Sequence, residues 1–94
     1  TFLLFTDDIE WCLKNPLFNN SHVIPIHTGN DFLDLHIMSR CAHNIIANSS
    51  YSWWGAWLNT NNEKRVYAPA HNWFGTALSH LNTQDLLPNN WIKI

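Results

Sequence analysis

Charged side chains are scarce in this sequence, and the basic ones are not clustered. The 94 residues contain five Lys and Arg against seven Asp and Glu, which gives a formal net charge of −2 with histidine neutral. The basic residues are scattered along the chain as Lys14, Arg40, Lys64, Arg65 and Lys93. Because nucleic acids and anionic membranes are bound through concentrated positive charge, we expect neither as a partner.

Long hydrophobic runs are also missing. The longest unbroken apolar run is Trp53–Leu58, whereas a spanning helix needs about 20 such residues. No transmembrane segment or signal peptide is therefore predicted. The chain starts at Thr1 without an initiator methionine and leads directly into a strand-like segment. We therefore expect a fragment or an excised domain of a longer protein.

Cysteine and metal-ligand patterns are poorly represented. Cys12 and Cys41 are the two cysteines, and they form no C-x-x-C spacing, so two buried free thiols are expected rather than a zinc site. The neighbouring carboxylates Asp7 and Asp8 have no third ligand close by, and the D-x-D pattern of metal-dependent transferases is absent. The sequence therefore predicts no metal ion.

Apolar and aromatic residues, by contrast, are abundant. Hydrophobic residues make up 46% of the chain and include six Trp, which favours a packed domain over a disordered segment. A chain of this length forms at most one small domain, burying about 65% of the surface exposed when unfolded. So much aromatic surface on so short a chain suggests that a partner completes it.

Four strand-like segments alternate with helices or loops. They are Phe2–Phe5, His22–His27, Asn44–Ala47 and Lys64–Ala68. This βαβαβαβ order predicts an α/β fold with a doubly wound parallel sheet. The first segment has the uninterrupted apolar pattern of a strand covered on both faces, whereas Pro25 places the second at an edge or interrupts it.

The remaining predicted elements are helices and a terminal strand. A first helix follows Asp7 or Asp8 and stops at Pro16, and a second runs from Asp31 to about Ala42. Asp31 and Asp34 occupy the predicted N-cap and N3 positions, where helix capping can account for both carboxylates, as it can for Asp7 or Asp8 in the first helix. Toward the end, 83–87 forms a turn of helix and 91–94 a last strand.

The segment 43–58 carries the main functional signal. A short buried strand, Asn44–Ala47, is followed at once by Asn48, Ser49 and Ser50 and then by an aromatic helix. A helix start at the carboxyl end of a parallel strand can bind an anion through its free N–H groups. Alternatively, Ser49 or Ser50 merely caps the helix. Trp53, Trp54 and Trp57 are interpreted as buried core, with a sugar-stacking platform as the alternative.

Three runs together resemble a known enzyme family. They are Asn48–Leu58, Asp34–Cys41 and Phe5–Cys12, within a match that extends from about Phe2 to Phe74. The chain resembles the alpha-1,2-fucosyltransferases of glycosyltransferase family 11. The resemblance implies the C-terminal, Rossmann-like half of a GT-B glycosyltransferase, with residues 1–94 binding GDP-fucose and needing no metal or other cofactor.

The resemblance also implies roles for individual residues. Thr6, Asp7 and Asp8 look like a motif shared with the alpha-1,6 enzymes, which places them on the donor side. Asp34 matches the aspartate with which those relatives contact guanine, and a carboxylate can accept from both the N1–H and the 2-amino group of that base. The backbone from Asn48 to Tyr51, with the Ser49 and Ser50 hydroxyls, is the expected cradle for the diphosphate.

The implied reaction is an inverting transfer of L-fucose from GDP-fucose to the 2-hydroxyl of a terminal galactose on a glycan. No residue is identified as the base. The H-x-R-R-x-D motif and the N-terminal acceptor half do not occur in these residues, so we expect this chain alone to be inactive and to need that half as a partner. The resemblance implies a cytoplasmic or peripheral membrane enzyme in a bacterium and a Golgi-lumen enzyme in an animal.

Two other functions remain open. A transferase that uses a UDP-sugar or an ADP-sugar would share the fold and the anion site at the helix start. A carbohydrate-binding module without enzymatic activity would instead use the Trp cluster, and it requires exposed indoles at 53, 54 or 57. Base preference distinguishes the first alternative, and a fluorescence response to free oligosaccharide distinguishes the second.

Overall fold

The computed structural model describes residues 1–94 and shows an α/β architecture in which every strand pairing is parallel. Five short strands alternate with three helices for most of the chain, which confirms the predicted class. The strands are β1 (Phe2–Leu4), β2 (Val23–Pro25), β3 (Asn44–Ile45), β4 (Val66–Ala68) and β5 (Ile92–Lys93). The helices are α1 (Ile9–Leu13), α2 (Asp31–Ser39) and α3 (Ser50–Trp57), with a 3₁₀ turn at Thr76–Leu78. None of these helices is suited in length and apolar character to crossing a membrane.

The strands lie in two parallel sheets, where the sequence pattern predicts one. One sheet pairs β1 with β2, and the other has the order β3-β4-β5. The chain divides into two compact units, Thr1–Asp34 and Leu35–Ile94. Each sheet is compatible with a piece of a Rossmann-like domain, because parallel strands joined through helices are the defining feature of such folds.

The first unit contains the two-stranded sheet and α1. Phe2 pairs with Val23 and Leu4 with Pro25, and β2 ends at this proline, in agreement with its predicted edge position. Phe2 is 58% exposed, so the expectation that β1 is covered on both faces is wrong for this unit. A two-stranded sheet with one five-residue helix does not have enough structure to cover both faces.

Helix α2 starts and ends differently from the prediction. Asn30, rather than Asp31, caps it: Asn30 Oδ1 accepts hydrogen bonds from the N–H groups of Phe32 and Leu33 at 3.0 and 3.1 Å. The helix ends at Ser39 instead of near Ala42. Near the end of the helix, the side chain of Asn44 donates to the Met38 carbonyl at 3.0 Å. This bond supplies a donor to one of the last carbonyls, which have no partner within the helix.

The second unit holds the buried core. Helix α3 lies against the β3-β4-β5 sheet through Ala56, which is fully buried. The core cluster consists of Ile46, Ala56, Val66, Ala68, Trp73, Leu87 and Trp91, with Trp53 and Leu86 packed against it. The terminal strand is confirmed at β5. Residues 83–87 form a turn rather than a helix, with Leu86 N–H donating to the Thr83 carbonyl at 3.0 Å.

Candidate functional site

The turn between β3 and α3 is organised by serine side chains. Ser49 has extended backbone angles (φ −137°, ψ 129°), and its Oγ accepts from the Ser52 N–H at 3.4 Å, the arrangement of an N-cap. The Ser52 hydroxyl donates in turn to the Ser49 carbonyl at 3.1 Å. The capping interpretation is therefore confirmed for Ser49, while Ser50 is the first residue of the helix.

Capping does not close the turn to ligands. Ser49 is half-buried and Ser50 is exposed, and both line a cavity of about 560 Å³. The first N–H groups of an α-helix have no acceptor within the helix, and the positive end of its dipole lies there. The cavity therefore borders the one end of α3 that favours an anion.

Another part of the cavity lining comes from the loop after β4. Trp73 and Phe74 of this loop line the cavity together with Leu86. Asn48 Nδ2 donates to the Asn72 carbonyl at 3.4 Å, which ties the loop to the serine turn. Because β3 and β4 are adjacent parallel strands, the cavity lies where their carboxyl ends meet, the usual ligand position in α/β proteins.

The Trp side chains of α3 form a stack at one side of the cavity. Trp53 stacks on Trp57 with ring centroids 5.2 Å apart and contacts Trp54 edge to face at 5.0 Å. Trp53 is held in place because its Nε1 donates to the Leu86 carbonyl at 2.9 Å. Trp54 and Trp57 are 50% and 51% exposed, so the expectation of buried core is wrong for these two. The sheet covers only one side of α3, and an apolar helix has no polar face to reveal which side that is.

A buried polar network fixes the ends of this strand-turn-helix segment. Asn59 Nδ2 donates to the Cys41 carbonyl at 2.7 Å and to Asn44 Oδ1 at 2.8 Å. Lys64 Nζ donates to the carbonyls of Ala56 and Asn59 at 2.8 and 2.7 Å, where a cation stabilises the C-terminal end of α3. Burial lowers the pKa of Lys64, because desolvation disfavours its charged form.

The chemistry available in the cavity follows from its lining. Asn48, Ser49 and Ser50 supply neutral donors at one end, and aromatic rings of Trp53, Trp54, Trp73 and Phe74 supply flat apolar surface. Such a site suits an anion at its polar end and a ring or sugar at its aromatic end. Nowhere in the chain do three or more His, Cys, Asp or Glu side chains come together as metal ligands.

The predicted donor residues of the first unit make local contacts. Asp8 caps α1, since its Oδ1 accepts from the Trp11 N–H at 3.0 Å. Thr6 Oγ1 accepts from the Asp8 N–H at 3.1 Å and from the Cys12 thiol at 3.6 Å. Asp7 is exposed. Helix capping is thus confirmed for Asp8, and the donor-side role of Thr6, Asp7 and Asp8 stays a prediction.

The carboxylate of Asp34 is hydrogen-bonded to Thr28. Its Oδ1 accepts from the N–H and from the hydroxyl of Thr28, at 3.2 and 2.6 Å. Helix α2 starts at Asp31 after the Asn30 cap. Asp34 is therefore the fourth residue of the helix, N4, and not N3 as predicted. The bond to Thr28 orients the carboxylate, and its predicted contact with guanine stays a prediction.

Of the predicted site residues, the cavity brings Ser49 and Ser50 together. Tyr51 follows them in the first turn of α3 but is not part of the cavity lining. The prediction missed Trp73, Phe74 and Leu86. The first two follow β4 in the same way that the serines follow β3, so the rule that ligands bind at the carboxyl ends of strands identifies them. No local signal identifies Leu86, which comes from a distant turn.

Comparisons with known proteins agree along the whole chain. The family model described as Glycosyl transferase family 11 matches residues 1–94. The alpha-1,2-colitosyltransferase of Escherichia coli is 42% identical over 96 residues, covering 99% of this chain and 32% of that protein. The O-antigen biosynthesis glycosyltransferase WbnK of Escherichia coli is 37% identical over 95 residues, covering 98% of this chain and 30% of that protein. The chain thus spans about a third of the length of these relatives. No solved structure matches it significantly.

Proposed function

The chain belongs to glycosyl transferase family 11, and from this membership we propose that it is the donor-binding part of an alpha-1,2-glycosyltransferase of GT-B architecture. The proposed donor is GDP-fucose, and the proposed acceptor is a glycan that ends in galactose. The observation that carries the proposal is the cavity at the start of α3, where Ser49 and Ser50 border both a helix N-terminus and an aromatic wall.

The polar end of this cavity is suited to the diphosphate of the donor. In an inverting transfer, the acceptor 2-hydroxyl oxygen forms a bond to the anomeric carbon while the bond from that carbon to the phosphate oxygen breaks. GDP leaves with the electron pair, and a base that we do not assign takes the hydroxyl proton. Donors fixed in place before the reaction stabilise the negative charge that grows on the diphosphate. The helix start and the two hydroxyls are such donors.

A second donor is favoured by the relative with 42% identity, which is an alpha-1,2-colitosyltransferase. Colitose differs from fucose by the absence of the 3-hydroxyl, so both sugars fit the same site apart from the contacts to that group. A site that hydrogen-bonds a substrate hydroxyl discriminates strongly against the analogue without it. Comparison of kcat/KM for GDP-fucose and GDP-colitose therefore decides between the two donors. The WbnK relative, named for O-antigen biosynthesis, supports a surface polysaccharide as acceptor.

A carbohydrate-binding module is the third candidate, favoured by the exposure of Trp54 and Trp57. It predicts that free oligosaccharide shifts the Trp fluorescence in the absence of nucleotide. The transferase predicts that nucleotide binds without sugar. Titration of the protein with GDP and, separately, with a galactose-terminated oligosaccharide distinguishes these functions.

The main test uses the full-length enzyme and the Ser50→Ala variant. We expect GDP to raise the melting temperature of the unmodified enzyme more than UDP or ADP does. We expect Ser50→Ala to weaken GDP binding about tenfold, because a hydrogen bond to a charged group is lost. Ser21→Ala, an exposed serine in the first unit, is the matched control. Equal protection by the three nucleotides contradicts guanine recognition, and unchanged GDP binding in Ser50→Ala contradicts the cavity as the diphosphate site.

A further inference from the structure

One end of the cavity at the start of α3 is apolar. Its lining there consists of aromatic rings and Leu86, whereas the polar side chains of the lining belong to residues 48–50. The Nε1 of Trp53 donates to the Leu86 carbonyl at 2.9 Å, and that of Trp73 donates to the Pro69 carbonyl at 2.7 Å. These two indole N–H groups are therefore occupied, and the two rings present mainly carbon to a ligand.

Trp54 connects this apolar end to the polar end. It follows Ser50 by four residues in α3, so the two side chains lie on the same face of the helix, about one turn apart. Long side chains on a helix point back toward its N-terminus, which directs the Trp54 indole toward the serine turn. Both residues line the cavity. A phosphate bound at Ser50 therefore has an aromatic ring as its neighbour.

The apolar end is open to solvent. Trp54 and Phe74 line the cavity, yet they are 50% and 52% exposed. The turn that carries Phe74 is held by the Asn72 carbonyl, which accepts from the Gly75 N–H at 3.0 Å and from Asn48 Nδ2 at 3.4 Å. A group bound against these two rings therefore keeps one side free for the approach of a second substrate.

We propose that Trp54 and Phe74 bind the sugar of the donor and select a 6-deoxyhexose through its methyl group. This inference rests on the proposed function, because it needs the diphosphate at the serine turn. In a nucleotide sugar, a single oxygen joins the anomeric carbon to the terminal phosphate, so the pyranose lies immediately beside that phosphate. Both donors proposed above have a methyl group as C6, where an ordinary hexose has a hydroxymethyl group.

The selectivity follows from the apolar lining. A methyl group gains free energy when an aromatic ring removes it from water. A hydroxyl on the same carbon loses its water at such a surface and finds no hydrogen-bond partner in exchange. An apolar pocket discriminates by up to about 100-fold against a substrate with one added hydroxyl. GDP-L-galactose differs from GDP-fucose only by a hydroxyl on C6, so it is the informative competitor.

Kinetics of the full-length enzyme with these two donors test the inference. We expect kcat/KM to favour GDP-fucose by about 10- to 100-fold, and Trp54→Ala to reduce this ratio about tenfold, because the contact to the methyl group is lost. Trp57→Ala is the matched control, with an expected ratio within about twofold of the parent value. Trp57 is 51% exposed and contacts Trp53 as Trp54 does, but it does not line the cavity.

Binding of GDP separates recognition of the sugar from recognition of the nucleotide. GDP carries no hexose, so Trp54→Ala should leave its affinity within about twofold in a calorimetric titration. Tenfold weaker GDP binding with an unchanged ratio of kcat/KM values would show that the indole contacts the base or the diphosphate, and it would overturn the inference. Phe74→Ala is a second variant outside α3, with the same expected results, and the melting temperature of each variant shows whether it has folded.

The remaining outcomes distinguish this inference from the proposed function. An unchanged ratio in folded Trp54→Ala and Phe74→Ala variants, or an equal fall of the ratio in Trp57→Ala, contradicts the inference alone. Turnover of neither GDP-fucose nor GDP-colitose contradicts the proposed function. Equal protection by GDP, UDP and ADP contradicts guanine recognition and leaves the sugar comparison intact, because the two donors compared carry the same nucleotide.

Discussion

The side-chain amide of Asn59 donates to Oδ1 of Asn44 at 2.8 Å, and both side chains are buried. Asn44 is the first residue of β3, and Asn59 follows α3. The hydrogen bond therefore joins the two ends of the segment that carries the serine turn. Asn59 also donates to the Cys41 carbonyl at 2.7 Å, so a single amide nitrogen binds one side-chain oxygen and one backbone carbonyl.

Replacement of Asn59 is expected to destabilise the protein strongly. Asn59→Ala leaves Asn44 Oδ1 and the Cys41 carbonyl without their donor, which costs about 2 kcal/mol. Urea unfolding measures the change in the free energy of unfolding. Asn62→Ala, an exposed residue of the same loop, is the control, with an expected change within about 0.5 kcal/mol. Equal effects of the two variants contradict a structural role for the buried amide pair.

Gly55 of α3 lies against the side chain of Met38 of α2. A Cβ at position 55 would lie 2.8 Å from Met38 Cγ and closer still to Sδ. The residue that the absence of a side chain at Gly55 allows to approach is therefore part of a helix and not of the sheet. We expect Gly55→Ala to destabilise the parent protein. The overpacking against Met38 costs about 1–3 kcal/mol, whereas the higher helix propensity of Ala contributes up to about 1 kcal/mol.

The sign of the Gly55→Ala effect is expected to reverse in a Met38→Ala background. Removal of Cγ and Sδ eliminates the two atoms that the new Cβ would overlap and leaves only the Cβ of residue 38, at 3.4 Å. The gain of about 1 kcal/mol in helix propensity then outweighs the remaining contact. Urea unfolding of the four proteins in this double-mutant cycle measures the coupling. Destabilisation by Gly55→Ala in both backgrounds would show that a different neighbour excludes the methyl group.

The order of elements was predictable because its signals are local. Short apolar runs indicate the strands, and a serine or an aspartate before a helical pattern indicates a cap, as Ser49 and Asp8 confirm. The choice between Asn30 and Asp31 as the cap of α2 was not predictable, since both residue types cap well and stand side by side. Here the Asn30 side chain reaches the N–H groups of Phe32 and Leu33.

The aromatic half of the candidate site depends on long-range contacts. The bond from Asn48 to Asn72 spans 24 positions in sequence, and periodicity says nothing about pairs so far apart. The exposure of Trp54 and Trp57 is unpredictable for a related reason. When every face of a helix is apolar, only the tertiary structure decides which face is covered.

The dependence of stability on pH is expected to include a contribution from Cys41. Burial raises the pKa of this thiol, whose Sγ donates to the Ile37 carbonyl at 3.5 Å. As pH rises past the ordinary thiol pKa, the unfolded chain ionises first, so it binds fewer protons than the folded protein and stability falls. Urea unfolding between about pH 8 and 10 should show a shallower decline for Cys41→Ser than for the parent protein. Identical slopes would contradict this contribution.

Asp34→Asn tests the predicted recognition of guanine without disturbing the local fold. The carboxylate accepts from the N–H and hydroxyl of Thr28 through Oδ1, and asparagine retains one oxygen that can keep both bonds. Asparagine lacks the negative charge and the second acceptor that a contact to guanine N1–H and the 2-amino group requires. We expect Asp34→Asn to weaken GDP binding to the full-length enzyme about tenfold or more, with ADP binding unchanged, as measured by calorimetric titration.

Glu10→Gln, which replaces an exposed carboxylate in α1, controls for the loss of one negative charge. If Asp34→Asn binds GDP as the Glu10→Gln variant does, the carboxylate acts only as the partner of Thr28, and another group recognises the base.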